Sequence, residues 1–148
     1  MDEKDKAILR EVQSRLPIAE RPFLELGRAV GLGEGEVIER LAAMKRSGVI
    51  RRIGGNFNSA SLGFAATLCG AKVAPEKLDA FVAAVNAHHG VTHNYLRSHE
   101  FNVWFTFIAE DMAQIDEHLA RLAEQTGVDD ICSMPALEMF KIKVDFPI

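Results

Sequence analysis

The 148-residue sequence predicts an α+β protein with two domains. Three short helical patterns in residues 1–57 predict an N-terminal helix-turn-helix domain with a wing. Residues 58–148 alternate strand and helix patterns in the order β-α-β-β-α-β, which predicts a ferredoxin-like domain with a four-stranded antiparallel sheet. Between the two halves, the Gly-, Asn- and Ser-rich stretch GGNFNSASLG indicates turns and a linker.

Composition narrows the class of protein. The chain is 48% hydrophobic, enough for a packed core, and its formal charge of -4 gives no overall attraction to nucleic acid. The charged start, MDEKDKAILREVQ, and the lack of a long apolar run predict a cytoplasmic protein without a membrane segment. Cys69 and Cys132 stand outside any C-x-x-C motif, so reduced buried thiols are the first expectation and a disulfide the weaker alternative.

Proline and glycine residues help to mark where the three predicted N-terminal helices begin and end. The first is closed by Pro17, the second runs from Pro22 to Gly31, and the third runs from Glu34 to Ser47. The third helix is followed by VIRRIGGNF, which predicts a hairpin or wing. The residues expected to be buried by the first and third helices are Ala7, Ile8, Val12, Leu16, Val37, Ile38, Leu41 and Met44.

The third helix argues against DNA binding, although it holds the recognition position of a helix-turn-helix. Glu34, Glu36 and Glu39 lie near its start, where phosphates would repel them, whereas the helix N-terminus itself favours carboxylates. The basic residues nearby have two interpretations: a solvated basic face, which is the first expectation, and contact with a DNA phosphate, which is the alternative. These residues are Arg40, Lys45, Arg46, Arg51 and Arg52.

In the second half, strands are expected at FAATLCGAKV, VTHNYLRSHE, FNVWFTFIAE and the segment from Ile131 to Val144. Helices are expected between these strands. The first, PEKLDAFVAAVNAHHG, begins at Pro75 and ends at Gly90, and the second, DMAQIDEHLARLAEQTG, begins at Asp111 and ends at Gly127. Both helices cover one face of the sheet in this topology. The opposite face is therefore free to meet a ligand or a partner.

Strand alternation predicts which side chains lie on that open face. On the second strand it selects one row: His93, Tyr95, Arg97 and His99, with Asn94, Leu96 and Ser98 pointing the other way. On the third strand it places Asn102, Trp104 and Thr106 on the open face and an apolar row in the core: Phe101, Val103, Phe105 and Phe107. A bulge between Ser98 and Phe101 is the alternative, and it would change these faces.

The predicted row suits a large, flat, anionic ligand. An indole stacks on a ring system, a guanidinium forms a bidentate pair with a carboxylate, and imidazoles titrate near neutral pH or ligate a metal. A macrocycle with carboxylate arms fits that description. The remaining histidines have simpler interpretations, since His88 and His89 end a helix and His118 is expected to be solvated.

The chain as a whole resembles the leucine-responsive/asparagine regulator superfamily. More narrowly, the strings HNYLRSHEFNVWFT, LPIAERPFLELG and GVIRRIGGNFN resemble siroheme decarboxylase subunits of the alternative heme and heme d-one pathways. The resemblance implies loss of carbon dioxide from the acetate side chains on carbons twelve and eighteen of siroheme, giving didecarboxysiroheme. It implies a complex with a related second-type subunit, this chain being of the first type, with a homodimer when the chain is isolated.

The resemblance also implies roles for the row. His93 and His99 are candidate proton donors, and the alternative role for one of them is to ligate the iron or position the ring. Arg97 holds a substrate carboxylate and Tyr95 hydrogen-bonds or orients the substrate. Asn102 and Trp104 shape the wall. No cofactor or metal beyond the iron tetrapyrrole substrate is expected. Two alternatives stay open at this point: a DNA-binding transcription regulator that responds to a small ligand or heme, and a heme sensor or assembly partner without catalysis.

Overall fold

The computed structural model describes residues 1–55, 57–141 and 146–148. The chain divides into two compact units, one formed by Met1–Gly55 with Lys141–Ile148 and the other by Asn56–Phe140. No helix in these described ranges has both the length and the apolar character needed to cross a bilayer.

The first unit contains helices α1 (Glu3–Val12), α2 (Pro22–Val30) and α3 (Glu34–Arg46). Asp2 caps α1 in a capping box with Asp5, whereas α2 begins at its proline and ends at Gly31, whose φ of 70° is the left-handed conformation that glycine adopts without strain. The core is apolar and consists of Ile8, Leu9, Leu26, Val37, Leu41 and Met44. The three predicted helices are therefore confirmed.

Three local predictions in this unit are wrong. Helix α1 ends at Val12, so Leu16 lies beyond it and is exposed, and Ile38 is 45% exposed on α3. The described part of VIRRIGGNF, residues 49–55 and 57, forms no strand or hairpin. A lone two-stranded ribbon is marginally stable in water, and these largely exposed residues bury too little surface to hold one.

Ion pairs occupy Arg40, one of the three cations of α3. The Arg40 guanidinium binds Asp2 and Asp5 at 2.8 Å and Glu36 at 2.9 Å. Arg21 likewise pairs with Glu34. Arg40 thus ties α1 to α3, and the alternative in which it contacts a DNA backbone would require it to give up three carboxylates.

The second unit is built on a four-stranded antiparallel sheet in the order β2-β3-β1-β4. Its strands are β1 (Ala65–Ala71), β2 (Val91–Leu96), β3 (Val103–Ala109) and β4 (Ile131–Pro135). Helix α4 (Leu78–Asn86) follows a short 3-10 turn at Pro75–Lys77, and α5 (Met112–Thr126) is capped by Asp111. This arrangement confirms the predicted βαββαβ order.

The core of this unit lies between the helices and one face of the sheet. From β3, Val103, Phe105 and Phe107 are at most 2% exposed, which confirms the predicted apolar row for these three residues. From the helices, Phe81 and Ile115 are fully buried, and the Phe81 ring meets Phe105 edge-on at 6.3 Å.

The pairing of β2 with β3 contains one irregularity. Val91 lies opposite Phe107 and His93 opposite Thr106, which leaves Thr92 as an extra residue in a β-bulge. The bulge therefore sits at the start of β2, whereas the alternative considered from the sequence placed one between Ser98 and Phe101. There the chain instead leaves the sheet, because β2 ends at Leu96 and β3 begins at Val103.

The last strand is shorter than predicted. It ends at Pro135, whose ring removes the N–H that a further ladder hydrogen bond would need. Residues 136–141 form no strand, and residues 142–144 of the prediction lie outside the described residues. Residues 146–148 instead bind α1, where Gln13 exchanges two hydrogen bonds with the Phe146 backbone.

We expect Gly90→Ala to destabilise the second unit. A Cβ at residue 90 would lie 2.3 Å from the Ile108 carbonyl oxygen and 3.1 Å from the Phe107 ring, and neither backbone nor buried ring can move freely. The expected loss in the free energy of unfolding is about 2–3 kcal/mol, measured by chemical denaturation. Gly70→Ala is the control, because its nearest contacts are ordinary at 3.4 Å; equal losses for both variants would contradict the steric account.

The Arg40 cluster predicts acid-sensitive stability. The Asp5 backbone N–H and then the Arg40 guanidinium lower the pKa of Asp2 from 3.8 to about 2. A carboxyl whose folded pKa is lowered stabilises the fold above its unfolded pKa and loses that contribution as pH falls toward about 2. Denaturant titrations across this window should show a shallower acid loss for Arg40→Gln than for the parent, with Arg28→Gln unchanged; identical slopes would refute the coupling.

Candidate active site on the open face of the sheet

The face of the sheet away from α4 and α5 brings together most of the predicted row. Directly opposite residues of antiparallel strands share a face, and the register sets His93 opposite Thr106 and Tyr95 opposite Trp104. The neighbouring strand adds Leu68 opposite Thr106 and Gly70 opposite Trp104. Imidazole, phenol and indole therefore lie on one surface.

This surface forms an open cavity of about 550 Å³. It combines an apolar floor with polar and titratable groups, as ligand sites do. The lining residues are Leu68, His93, Tyr95, Arg97, Ser98, His99, Trp104, Phe105 and Thr106. Five of the six residues predicted for the site thus line one cavity, and Asn102 is the exception.

Trp104 forms a fixed wall of the cavity. Its indole N–H donates a hydrogen bond of 2.6 Å to the Phe101 carbonyl oxygen. The ring edge lies against Gly70, where an added Cβ would be 3.4 Å from two indole carbons. The hydrogen bond to Phe101 and the contact with Gly70 hold the indole against β1, so its orientation is set before any ligand binds.

His93, Tyr95 and Arg97 follow one another along the edge of the cavity. The His93 and Tyr95 rings are stacked with centroids 6.2 Å apart, and the Arg97 guanidinium carbon lies 4.8 Å from the Tyr95 ring centroid. The aromatic face attracts the cation and holds it near the surface. His93 Nδ1 lies 3.0 Å from the Thr92 hydroxyl.

Arg97 and His99 reach the cavity from a turn, which corrects the assumption that they continue the strand. The Arg97 N–H donates to the Asn102 carbonyl oxygen at 2.7 Å and closes this turn after β2. His99 Nδ1 accepts from the Phe101 N–H at 3.1 Å. The same turn brings Ser98 to the cavity, although strand alternation had placed it on the other face.

Asn102 has a structural role. Its side-chain oxygen accepts from the Val73 N–H at 2.9 Å, and its side-chain nitrogen donates to the Val73 carbonyl oxygen at 2.8 Å. The amide thereby satisfies both backbone groups of a residue that no strand contains. It holds the start of β3 beside the segment after β1 and does not line the cavity.

A second group of histidines lies on the opposite, helix-covered side of the sheet. His88 contacts the rings of His118 at 4.3 Å, Phe107 at 4.7 Å and His89 at 4.9 Å. Burial, followed by the neighbouring His118, His89 and Arg121, lowers the pKa of His88. His118 is half-buried in this group, so the expectation that it is solvated is wrong, because its imidazole lies against the rings of His88 and Phe107.

The thiols add no nucleophile. Cys69 and Cys132 are free, as predicted, and burial followed by the nearby Cys132 raises the pKa of Cys69 to about 12. Cys132 is half-buried and donates to the Gly70 carbonyl oxygen at 3.3 Å. Within the described ranges no three His, Cys, Asp or Glu side chains are arranged to hold a metal ion.

Comparison with protein families matches both halves of the chain. Residues 5–51 match the siroheme decarboxylase NirDL-like HTH domain, and residues 61–141 match the AsnC-like ligand binding domain. The siroheme decarboxylase alpha subunit of Desulfovibrio desulfuricans is 49% identical over 146 residues, which covers 99% of this chain and 84% of that protein.

Two solved structures show the same fold. An AsnC family transcriptional regulator from Agrobacterium tumefaciens superposes with a TM-score of 0.78 at 25% identity, covering 99% of this chain and 97% of the regulator. The siroheme decarboxylase NirDL in complex with an iron-uroporphyrin III analogue superposes with a TM-score of 0.71 at 28% identity. That match covers 97% of this chain and only 47% of the NirDL chain.

We expect Asn102→Ala to reduce stability by about 2–3 kcal/mol, because it leaves the N–H and C=O of Val73 without their partner. Asn94→Ala is a matched control, since its half-buried side chain bonds only Asn86 in the described structure and the change should cost less than about 1 kcal/mol. Denaturant unfolding measures both. A smaller loss for Asn102→Ala than for Asn94→Ala would argue against this structural role.

Proposed function

The chain belongs to the siroheme decarboxylase family, and we propose that the open-face cavity is where it binds siroheme and removes carbon dioxide from the substrate. Its function is the decarboxylation of siroheme in heme biosynthesis. This location of the substrate site is supported by the residues that line one cavity, which include His93, Arg97, His99 and Trp104. Siroheme is flat, conjugated and rich in carboxylates, and these four side chains supply a stacking wall, a guanidinium and two imidazoles.

Binding follows from the positions of the wall and the cation. The indole of Trp104 is held by Phe101 and offers its π face to the macrocycle, while Leu68 supplies apolar surface from β1. Arg97 lies at the rim over the Tyr95 ring, where its forked N–H groups bind a carboxylate arm. The Tyr95 hydroxyl donates to a second arm. We propose that the acetates on carbons twelve and eighteen are those that react.

The reaction breaks the bond between an acetate carboxylate and its side-chain carbon. Carbon dioxide leaves, and the electron pair stays on that carbon, where the conjugated macrocycle delocalises it. A protonated imidazole, His93 or His99, then supplies the proton that converts the side chain to a methyl group. The step consumes one proton and needs no oxidant or reductant. The iron tetrapyrrole is itself the substrate, and the proposal requires no additional cofactor or metal.

The shape of the site favours a second subunit. The cavity is open, and the residues that line it contact one face of a flat ligand, which leaves the other face to water. In NirDL the match to this chain spans only 47% of the polypeptide, so that protein has room for a second related half. We propose that a related chain covers the second face of siroheme here, in a heterodimer or larger complex, and that the isolated chain forms a homodimer.

We also propose a cytoplasmic location. Its support is that Cys69 and Cys132 are free thiols, a state that a reducing compartment maintains. DNA binding is not part of the proposal, because Arg40 and Arg21 of the helix-turn-helix are bound by carboxylates of the same unit.

Siroheme turnover tests the proposal. The chain, alone and with its related subunit, is incubated anaerobically with siroheme, and loss of carboxyl groups is followed by mass spectrometry. General acid catalysis contributes on the order of 10²–10⁴-fold, so His93→Ala or His99→Ala should lower turnover by at least about 100-fold. His89→Ala is the matched control, because that exposed imidazole is stacked on His88, away from the cavity.

Binding is measured separately through the single tryptophan. Siroheme should quench Trp104 fluorescence in the parent and in both histidine variants, whereas Arg97→Met should raise Kd by about 10- to 100-fold. Full turnover in both histidine variants would refute the proton-donor assignment. Unquenched Trp104 during turnover would place the site elsewhere, and quenching without mass loss, even with the partner, would indicate a sensor.

A further inference from the structure

We propose that Thr92 is a positioning residue that holds the His93 imidazole in the tautomer with its hydrogen on Nδ1, so that Nε2 is the atom that carries and delivers the reacting proton. The inference rests on the proposed function, and it assigns the two imidazoles of the site different tasks. It depends on the β-bulge at the start of β2.

The bulge gives Thr92 its unusual place. In a regular strand, residues 92 and 93 would point to opposite faces of the sheet. Here Val91 and His93 pair with Phe107 and Thr106, two consecutive residues of β3, so Thr92 has no partner of its own. Its hydroxyl lies 3.0 Å from His93 Nδ1 and 3.2 Å from the Thr106 hydroxyl oxygen.

The direction of these hydrogen bonds selects the tautomer. The Thr92 hydroxyl donates its one proton to the Thr106 oxygen. It therefore approaches His93 Nδ1 with a lone pair, and the proton of that 3.0 Å contact belongs to Nδ1. Neutral His93 then has a bare Nε2, which accepts a proton and becomes the second N–H of the imidazolium.

His99 is held in the opposite tautomer by its hydrogen bond. Its Nδ1 accepts from the Phe101 backbone N–H at 3.1 Å, and a backbone amide is only a donor. Neutral His99 therefore carries its hydrogen on Nε2, which suits it to donate a hydrogen bond to a substrate carboxylate. Of the two imidazoles, His93 is the one whose Nε2 is ready to be protonated from solvent between turnovers.

This arrangement needs no rearrangement during the proton transfer. After carbon dioxide has left, the His93 imidazolium gives its Nε2 proton to the side-chain carbon, and the electron pair retained there forms the new C–H bond. The ring that remains is the neutral Nδ1–H form, which is the form that Thr92 already binds. The hydrogen bond from Nδ1 to Thr92 persists through the step, and the bound macrocycle shields it from water, which strengthens it.

The tautomer is read directly by nitrogen NMR of the full chain labelled in histidine, with His93→Ala identifying the His93 signals. At alkaline pH, where imidazole is neutral, we expect the hydrogen of His93 to lie on Nδ1 in the parent and in Thr92→Ser. Thr92→Val removes the hydroxyl in an exposed strand position that tolerates valine, and it should shift His93 to the Nε2–H form. Thr106→Val should do the same, since Thr92 would then be free to donate to Nδ1.

Turnover of siroheme with the related subunit completes the test. Thr92→Val should lower kcat by about five- to tenfold with Trp104 quenching unchanged, and Thr92→Ser should restore it. A parent His93 with its hydrogen on Nε2 overturns the inference, as does a tautomer change without loss of kcat. A fully active His93→Ala overturns the inference, and full activity of His99→Ala as well would refute the proposed proton-donor assignment; an inactive His93→Ala with an Nε2–H parent overturns the inference alone.

Discussion

The pairing of β2 with β3 is the constraint on which the site depends. A strand presents alternate residues to opposite faces, so a shift of one residue would move His93 and Tyr95 from the open face to the helix-covered one. The bulge at Thr92 absorbs this shift at the beginning of β2, where Val91 still faces Phe107 in the core while His93 meets Thr106 outside. One extra residue thus serves both faces of the sheet and also places a hydroxyl beside the imidazole.

The two faces of β3 have different roles, since one is buried in the core and the other lines the cavity. Val103, Phe105 and Phe107 are buried under α4 and α5, and their contacts with the helices fix the strand in place. Trp104 and Thr106 alternate with them on the other face and are consequently held on a rigid backbone. A binding surface built on such a strand loses little conformational entropy when a flat ligand stacks on it.

The N-terminal unit has the helix-turn-helix fold, but its third helix carries a cation that pairs with carboxylates of the same unit. In a DNA-binding helix-turn-helix, the cations of the third helix are available to phosphates. Here Arg40 binds Asp2, Asp5 and Glu36, and this network joins the start of α1 to the first half of α3. The match of this region to a siroheme decarboxylase domain agrees with that use of charge. The fold by itself would have suggested a regulator.

Local pattern in the sequence was enough to determine the helices, the order of strands along the chain and the common face of Tyr95 and Trp104, because periodicity and capping act over a few residues. It could not determine where a strand stops. Arg97, Ser98 and His99 reach the cavity from a turn whose closing bond joins Arg97 to Asn102. Asn102 itself binds Val73, far away in the sequence. Such contacts, like the bulge at Thr92, exist only once strands pair, since they satisfy backbone groups that become neighbours through tertiary structure.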